Sequence, residues 1–429
     1  MRTADSHSSG IRRLSAAVRR NPMAERPPRR SRYMAGQKPR LLVLASTFPA
    51  HASDGTPAFV RDLAEREAER FDVMVVVPRV PGAPARERVG ELEVRRYGYF
   101  PRRWESLADG AIIENLREKR SRWLQVVPFF VAQFLATRRA ARDWRPDVAH
   151  VHWIIPQGVV ARVALRRTPA LLTTLGGDLY ALNARPLRAL KSWVIRWARA
   201  VTVMNAEMRE RVIELGAAPE AVRILPMGAD LSAVQAAPAV PAEPGRTRIL
   251  FVGRLVEKKG VEVLLDSLRG LGTDSAVSLT VVGDGPLRAS LEARARGLDV
   301  TFAGQLGRAE LVRRYAACDL AVFPSVLAAS GDKDGLPVAL LEAMSAGCTI
   351  VASDVPGINE AVEDGTNGVL VPPGETERLT AVLDSLIADP ELRARLGAAA
   401  RETAEGYSAD AVGARYRELL GTLSSVDAR

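Results

Sequence analysis

The sequence predicts an α/β protein built from two doubly wound, Rossmann-like domains facing a cleft. Three observations carry this. Short apolar runs alternate with longer amphipathic ones along most of the chain, the pattern of a parallel sheet covered by helices on both faces. A Pro- and Ala-rich stretch, 231–246, interrupts the alternation, which then resumes. The length of 429 residues exceeds what one ordinary hydrophobic core organises.

In the first half, Leu41–Ala45, Val73–Val77, Val148–Val151, Ala170–Thr174 and Val201–Met204 read as strands, and Phe59–Arg70, Gly158–Arg166 and Leu187–Ala198 as helices. In the second half, Arg248–Val252, Ser278–Val282, Val300–Ala303, Leu320–Phe323 and Thr349–Ala352 are the strand candidates. Val261–Leu268, Leu287–Ala295, Glu310–Ala317 and Val338–Met344 are the helix candidates, and a helical pattern runs from Leu379 to Leu423. The expected organisation is a basic tail over 1–38, a first domain over 39–230, a linker over 231–246, a second domain over 247–405 and a terminal segment over 406–429. Ligands of such sheets favour the carboxyl ends of the strands, which places the expected site in the cleft.

The formal charge of +10 invites a nucleic-acid partner, but its distribution argues against one. Eleven Lys and Arg but only Asp5 and Glu25 fall within residues 1–40, so the rest of the chain is close to neutral. The tail's Arg, Ser and Pro content predicts disorder, and it lacks the apolar core of a secretory signal. Met34 stands just before the first apolar strand, which predicts that translation starts there; the rival reading is a polybasic arm on anionic lipid. Cys318 and Cys348 sit in apolar surroundings and read as buried thiols of a reducing, cytoplasmic compartment. Four histidines leave little material for a histidine-rich metal site, and no run reaches the roughly 18 apolar residues that span a bilayer.

Several segments carry chemistry. Asp334 and Glu342 bracket Gly335-Leu336-Pro337, a step suited to opening a helix whose free N–H groups and dipole favour a phosphate. Carboxylates on either side of a phosphate suit the hydroxyl groups of a nucleotide sugar. The competing reading is an ordinary loop-to-helix junction. Gly253-Arg254-Leu255 and Glu257-Lys258-Lys259-Gly260 follow a strand end, where the Arg254 fork and the Lys259 ammonium can hold a diphosphate and stabilise charge as it departs. Gly55, in the loop after the first strand, allows close backbone approach to a phosphate. The aromatic and basic residues of Arg117–Arg145 and Arg185–Arg199 fit either docking on a membrane surface or helices with a basic outer face.

The Asp334–Glu342 segment with Ala343-Met344-Ser345-Ala346-Gly347 resembles the paired-carboxylate signature of the retaining nucleotide-sugar glycosyltransferases of family 4, with Asp334 where Glu is usual. Gly-Arg-Leu followed by Lys-Gly at 253–260 matches that family's diphosphate-binding pattern. Gly283-Asp284-Gly285-Pro286 matches its pocket loop, and Phe302-Ala303-Gly304-Gln305-Leu306 the segment whose backbone faces the nucleobase. The resemblance implies the GT-B fold, a donor site on the second domain and a last helix crossing back to the first. It implies transfer of a hexosyl group from a nucleoside diphosphate sugar to a hydroxyl acceptor, lipid-linked where the membrane reading holds, with no metal or other cofactor.

By the same resemblance, Arg254 and Lys259 bind the diphosphate, the helix opening at Gly335, Leu336 and Pro337 presents N–H groups to a phosphate, Asp334 holds sugar hydroxyls and Glu342 the ribose. Gly55, Gly253, Gly283, Gly285, Gln305 and Leu306 shape the donor pocket. Thr173-Thr174-Leu175-Gly176-Gly177-Asp178 departs from the family's Thr-x-His-Gly-x-Asp at Leu175. Asp178 is expected on the sugar or acceptor, and His150 and His152 near the space the missing histidine leaves. Two alternatives stay open: a nucleotide-sugar 2-epimerase of the same architecture, and a catalytically weak sugar-nucleotide-binding subunit.

Overall fold

A computed structural model describes residues 37–50, 58–109, 112–238, 240–241, 245–272, 276–329 and 334–426. The expected tail and the start at Met34 lie outside the described residues. From Lys38 onward the chain forms one compact unit.

The first sheet contains β1 (Arg40–Leu44), β2 (Asp72–Pro78), β3 (Arg86–Val89), β4 (Leu92–Tyr97), β5 (Val148–His152), β6 (Ala170–Thr173), β7 (Ala200–Val203) and β8 (Val222–Ile224). Their order is β3-β4-β2-β1-β5-β6-β7-β8, parallel except for the β3–β4 hairpin at one edge. That hairpin escapes an apolar-run reading because charged residues from Arg86 to Arg96 fill it, a common protection for an edge. Helices α1 (Phe59–Glu67), α2 (Ile112–Glu118), α3 (Val126–Trp144), α4 (Val159–Ala164), α5 (Gly177–Tyr180), α6 (Arg185–Ile195) and α7 (Ala206–Glu214) connect these strands.

Alternate strand residues serve opposite layers. Leu42, Leu44, Met74, Val76, Ala149 and Val151 pack under α3, α4, α6 and α7, whereas Leu41, Val43, Val73, Val75 and Val148 pack under α1. Burial on both faces is why the central strands read as unbroken apolar runs.

The first residues of the expected linker, 231–246, belong to the second domain. They contain α8 (Ser232–Gln235), and Leu231 and Val234 are buried in a core of the second domain. There β9 (Thr247–Val252), β10 (Val277–Val282), β11 (Val300–Gly304), β12 (Leu320–Phe323), β13 (Thr349–Ser353) and β14 (Val369–Val371) form a parallel sheet in the order β11-β10-β9-β12-β13-β14. It is covered by α9 (Val261–Arg269), α10 (Arg288–Arg294), α11 (Arg308–Ala316), α12 (Val338–Ala346), α13 (Ile358–Ala361), α14 (Thr376–Ala388) and α15 (Pro390–Glu405). The helical pattern after Leu379 thus divides into three helices, the last being α16 (Ala409–Val426).

Helix α16 returns to the first domain. Val412, Tyr416 and Leu420, spaced one turn apart, are buried with Leu41, Val43 and the α1 side chains. Beneath it runs a buried polar chain. His150 Nδ1 lies 2.6 Å from Glu67 Oε1, His150 Nε2 lies 2.7 Å from Thr173 Oγ1, and Thr173 Oγ1 lies 2.6 Å from Thr202 Oγ1. Tyr416 stacks on the His150 ring with centroids 5.3 Å apart and donates to the Leu225 carbonyl at 3.1 Å.

Burial holds Glu67 well above the usual carboxylate range and pushes His150 down to about 3; burial and the neighbouring His150 also lower His152. His150 is therefore neutral near pH 7, and burial favours the protonated form of Glu67, in which the carboxyl donates to Nδ1 while Nε2–H donates to Thr173. Glu67→Gln preserves a donor without the cost of protonating a buried carboxyl, so it is expected not to lower stability near neutral pH, whereas Glu67→Ala leaves a cavity and an unpaired ring nitrogen and is expected to fall about 3 kcal/mol below Glu67→Gln.

The pH dependence follows in sign. The histidines' depressed folded pKa values give stability that is present above their unfolded value of about 6.5 and lost as pH falls. Glu67 acts oppositely: its contribution is full below its unfolded value of about 4.3 and declines as pH rises through its raised folded value. Two histidines oppose one carboxyl, so the cluster is expected to lose stability on acidification from about pH 6 to 5. Urea unfolding across that range should show a steeper loss for Glu67→Gln, where the opposing contribution is gone. Among the described residues no helix is long and apolar enough to cross a membrane.

Candidate active site

The site begins where β9, β10 and β11 end. Gly253 N donates to Val282 O at 3.0 Å, Gly283 N to Gly304 O at 2.8 Å, Leu255 N to Asp284 O at 2.9 Å and Leu287 N to Leu255 O at 3.2 Å. Three strand ends are thus laced together, with Leu255 buried beneath them. Gly283, at φ +130, would place a Cβ 2.0 Å from the Gly253 carbonyl, and a Cβ on Gly285 would fall 2.4 Å from the Leu255 carbonyl. These glycines serve close backbone packing, which fixes the loop that carries Arg254. Arg254 is exposed, and its guanidinium has no partner among the described residues.

After Arg254 the chain makes a short 3-10 turn at Glu257–Lys259 and reverses at Gly260, φ +63. This brings Lys259 Nζ within 2.5 Å of Asp334 Oδ2, and Ser325 Oγ donates to the same oxygen at 3.1 Å. Both members of the pair are mostly buried. Two residues 75 positions apart, singled out separately by motif, therefore meet.

Helix α12 starts at Val338, where the sequence places it, and runs two residues beyond Met344. Pro337 is the N-cap, extended at ψ 136, and its carbonyl accepts from Leu340 N and Leu341 N. The first N–H groups of a helix lack intrahelical partners, so the anion-favouring end of α12 lies at Val338 and Ala339. Glu342 faces inward. Tyr315 of α11 donates to its Oε2 at 2.9 Å, Arg308 of α11 pairs with its Oε1, and Arg308 also donates to the Asp230 carbonyl at 3.1 Å. The Tyr315 phenol is pushed up by burial and by the adjacent carboxylate.

Gln305 is exposed after β11, and Leu306 is half-buried against the core around Leu340. Gly335 has open space where a Cβ would stand, and Leu336 packs on the same core. Gly55 lies outside the described residues. A cavity of about 480 Å³ is lined by Phe59 at the start of α1, Val338 at the start of α12, and Asp230 and Val412 between them. Arg254, Lys259 and Asp334 do not line it.

The structure locates three first-domain candidates. Asp178 is buried, accepting from Ile154 N at 2.6 Å and from Thr174 Oγ1 at 2.7 Å, so it clamps two strand ends rather than meeting a sugar. Burial raises its pKa against those hydrogen bonds. His150 is sealed in the polar chain under α16. His152 is buried beside it, ring centroids 4.2 Å apart. Sequence reasoning missed Arg308, Tyr315 and Ser325. Arg308 and Tyr315 are seven positions apart on one helix and so share a face, the only sequence signal that joins them. Trp153, at φ 72 where β5 ends, was also missed; a large side chain in that region marks a strained strand end.

The glycosyl transferases group 1 family matches residues 236–403, which hold this second-domain cluster, and the glycosyl transferase 4-like domain matches residues 54–228. The chain is 31% identical over 317 residues to a 2-deoxystreptamine glucosyltransferase of Streptomyces kanamyceticus, covering 65% of this chain and 79% of that protein. The chain belongs to the group 1 glycosyl transferases. It is also 30% identical over 275 residues to glycogen synthase of Mycobacterium tuberculosis, a match covering 61% of this chain and 65%, just under two thirds, of the synthase. Among solved structures, sucrose-phosphate synthase from Thermosynechococcus elongatus superposes with TM-score 0.64 at 21% identity, covering 90% of this chain and 99% of that one. Anabaena HepE in complex with UDP gives TM-score 0.64 at 18% identity, covering 89% and 100%. These superpositions establish for this group 1 glycosyl transferase the two-domain GT-B fold.

Proposed function

We propose that the protein is a retaining glycosyltransferase that moves a hexosyl group from a nucleoside diphosphate sugar to an acceptor hydroxyl, on the cytoplasmic side, in polysaccharide, glycolipid or other glycoconjugate synthesis. The observation that carries this reading is the convergence of Lys259 and Asp334 in the domain that bears the unpartnered Arg254. Relatives named for glucosyl transfer and for glycogen synthesis, and a fold neighbour complexed with UDP, support the substrate class.

In this reading Arg254 and Lys259 neutralise the diphosphate as the anomeric C–O bond breaks. The start of α12 faces a phosphate. Asp334 accepts from sugar hydroxyls, and Glu342 takes ribose hydroxyls in exchange for Arg308. The acceptor oxygen bonds to the anomeric carbon on the face the phosphate leaves, and the acceptor proton passes to a departing phosphate oxygen. No protein nucleophile is assigned, and this chemistry requires no metal.

Leu175, half-buried where the family carries histidine, sustains the second reading, a subunit that binds sugar nucleotide without turnover. Incubation with UDP-, GDP- and ADP-sugars, read by thermal shift and by product anomeric configuration, separates the cases. A stabilising donor and an α-linked product from an α-donor support transfer with retention. Epimer formation without acceptor points to an isomerase, and binding without transfer to the subunit. Asp334→Glu restores the commoner acid and is expected to keep turnover within about tenfold of wild type, since the ammonium partner and the charge persist. Initial rates with the stabilising donor check this.

A further inference from the structure

Helix α3 is apolar on two faces. Its inward face packs Phe129, Phe134 and Ala140 on the core and also buries Gln133 and Thr137, whose side chains have no hydrogen-bond partner among the described residues. Its outward face, continued from the preceding 3-10 turn, exposes Leu124, Val127, Val131 and Leu135 at 73%, 70%, 52% and 47%. The spacing of three, four and four residues aligns them in one stripe. Trp123 and Trp104 are exposed beside its start. Segment 98–125 leaves β4 at the carboxyl edge of the first sheet, the edge from which Ala206 N, after β7, reaches Glu360 of the second domain at 2.7 Å. The stripe therefore begins beside the cleft.

The unpaired charges along the stripe are mostly basic. Arg117, Arg120, Arg138 and Arg139 are exposed and have no ion-pair partner among the described residues, while Glu118 is neutralised by Arg122 at 2.6 Å. A second copy related by a twofold axis would set these arginines against themselves, and the chain's own basic tail would repel them. An anionic surface with an apolar layer beneath complements both features. We infer that this face of the first domain docks on an anionic lipid bilayer, Trp123 and the α3 stripe entering the interface and the arginines meeting headgroups. The cleft then opens beside the membrane, where a lipid-linked hydroxyl would be presented.

The test is co-sedimentation of the full-length protein with vesicles of phosphatidylcholine alone and of two parts phosphatidylcholine to one part phosphatidylglycerol. No donor or acceptor is present, so the result stands apart from the transfer reading. Wild type should bind the mixed vesicles and only weakly the neutral ones. Val127→Asn, Val131→Asn and Leu135→Asn together should weaken binding at least tenfold, and Arg120→Gln with Arg138→Gln about fivefold per arginine. Brominated lipid should quench tryptophan fluorescence in wild type and less in Trp123→Phe; residues 1–36 contain no tryptophan, so the tail cannot produce that signal. Equal binding by both variants would assign adhesion to the tail and overturn the proposal. Absence of binding to either vesicle, or a wild-type dimer that the triple variant dissolves without any vesicle binding, would overturn it too. If the triple variant fails to fold, the arginine pair and Trp123→Phe decide alone.

Discussion

Arg254→Ala lowers kcat about 10²–10³-fold and leaves the unfolding free energy within about 0.5 kcal/mol of wild type. The two halves of that expectation have one cause. The laced ends of β9, β10 and β11 hold the Gly253–Leu255 backbone through main-chain hydrogen bonds, so the fold does not use the guanidinium. An exposed arginine without a partner in the free protein spends nothing on structure. Its forked donors become worth most when diphosphate charge develops in a closed cleft. Lys259→Ala should differ in kind. It removes the partner of a largely buried carboxylate, leaving Asp334 with Ser325, and is expected to cost about 1–3 kcal/mol of stability as well as turnover. Chemical denaturation beside steady-state kinetics on both variants tests the contrast. Equal stability losses, or near-normal kcat in Arg254→Ala, would sink the diphosphate assignment.

Much of the fold was legible because buried parallel strands are apolar on both faces. Leu41-Leu42-Val43-Leu44 and Leu320-Ala321-Val322-Phe323 feed two cores each, and no pattern but a central strand demands that. The β3–β4 hairpin was not legible, because an edge strand carries charges, nor was α3, whose apolar residues lie on its outer face as well as its inner one and so blur the helical period. At the site, Arg254, Lys259 and Asp334 were legible as residues whose type and spacing suit a diphosphate. Their convergence depends on Gly260 and the Pro324–Ser325 exit from β12, a tertiary fact. The histidines show the opposite failure. His150, His152 and Asp178 look chemical because they are polar at strand ends, but Glu67, Thr173 and Tyr416 lie far apart in sequence, and only the fold reveals that His150 is occupied with them. Arg308 went unnoticed for the same reason: its partner Glu342 belongs to another helix.

Gly260→Ala is expected to destabilise the protein by at least about 3 kcal/mol and to abolish turnover. The residue sits at φ +63, where any Cβ is strained, and that Cβ would stand 1.8 Å from the Pro324 carbonyl oxygen. Relief requires the Lys259 turn and the β12 exit to separate. Lys258 O accepts from Val326 N at 2.9 Å across the same seam, so separation strains that bond and pulls Lys259 away from Asp334 and Ser325. Stability and site geometry fail together because one contact holds both. Gly335→Ala supplies the contrast. Its Cβ meets open space and its φ is not positive, so the unfolding midpoint should match wild type, and any rise in donor KM reads the space in front of α12 alone. Thermal unfolding of the two variants, followed by donor titration of whichever folds, distinguishes a glycine needed by the backbone from one that faces the ligand.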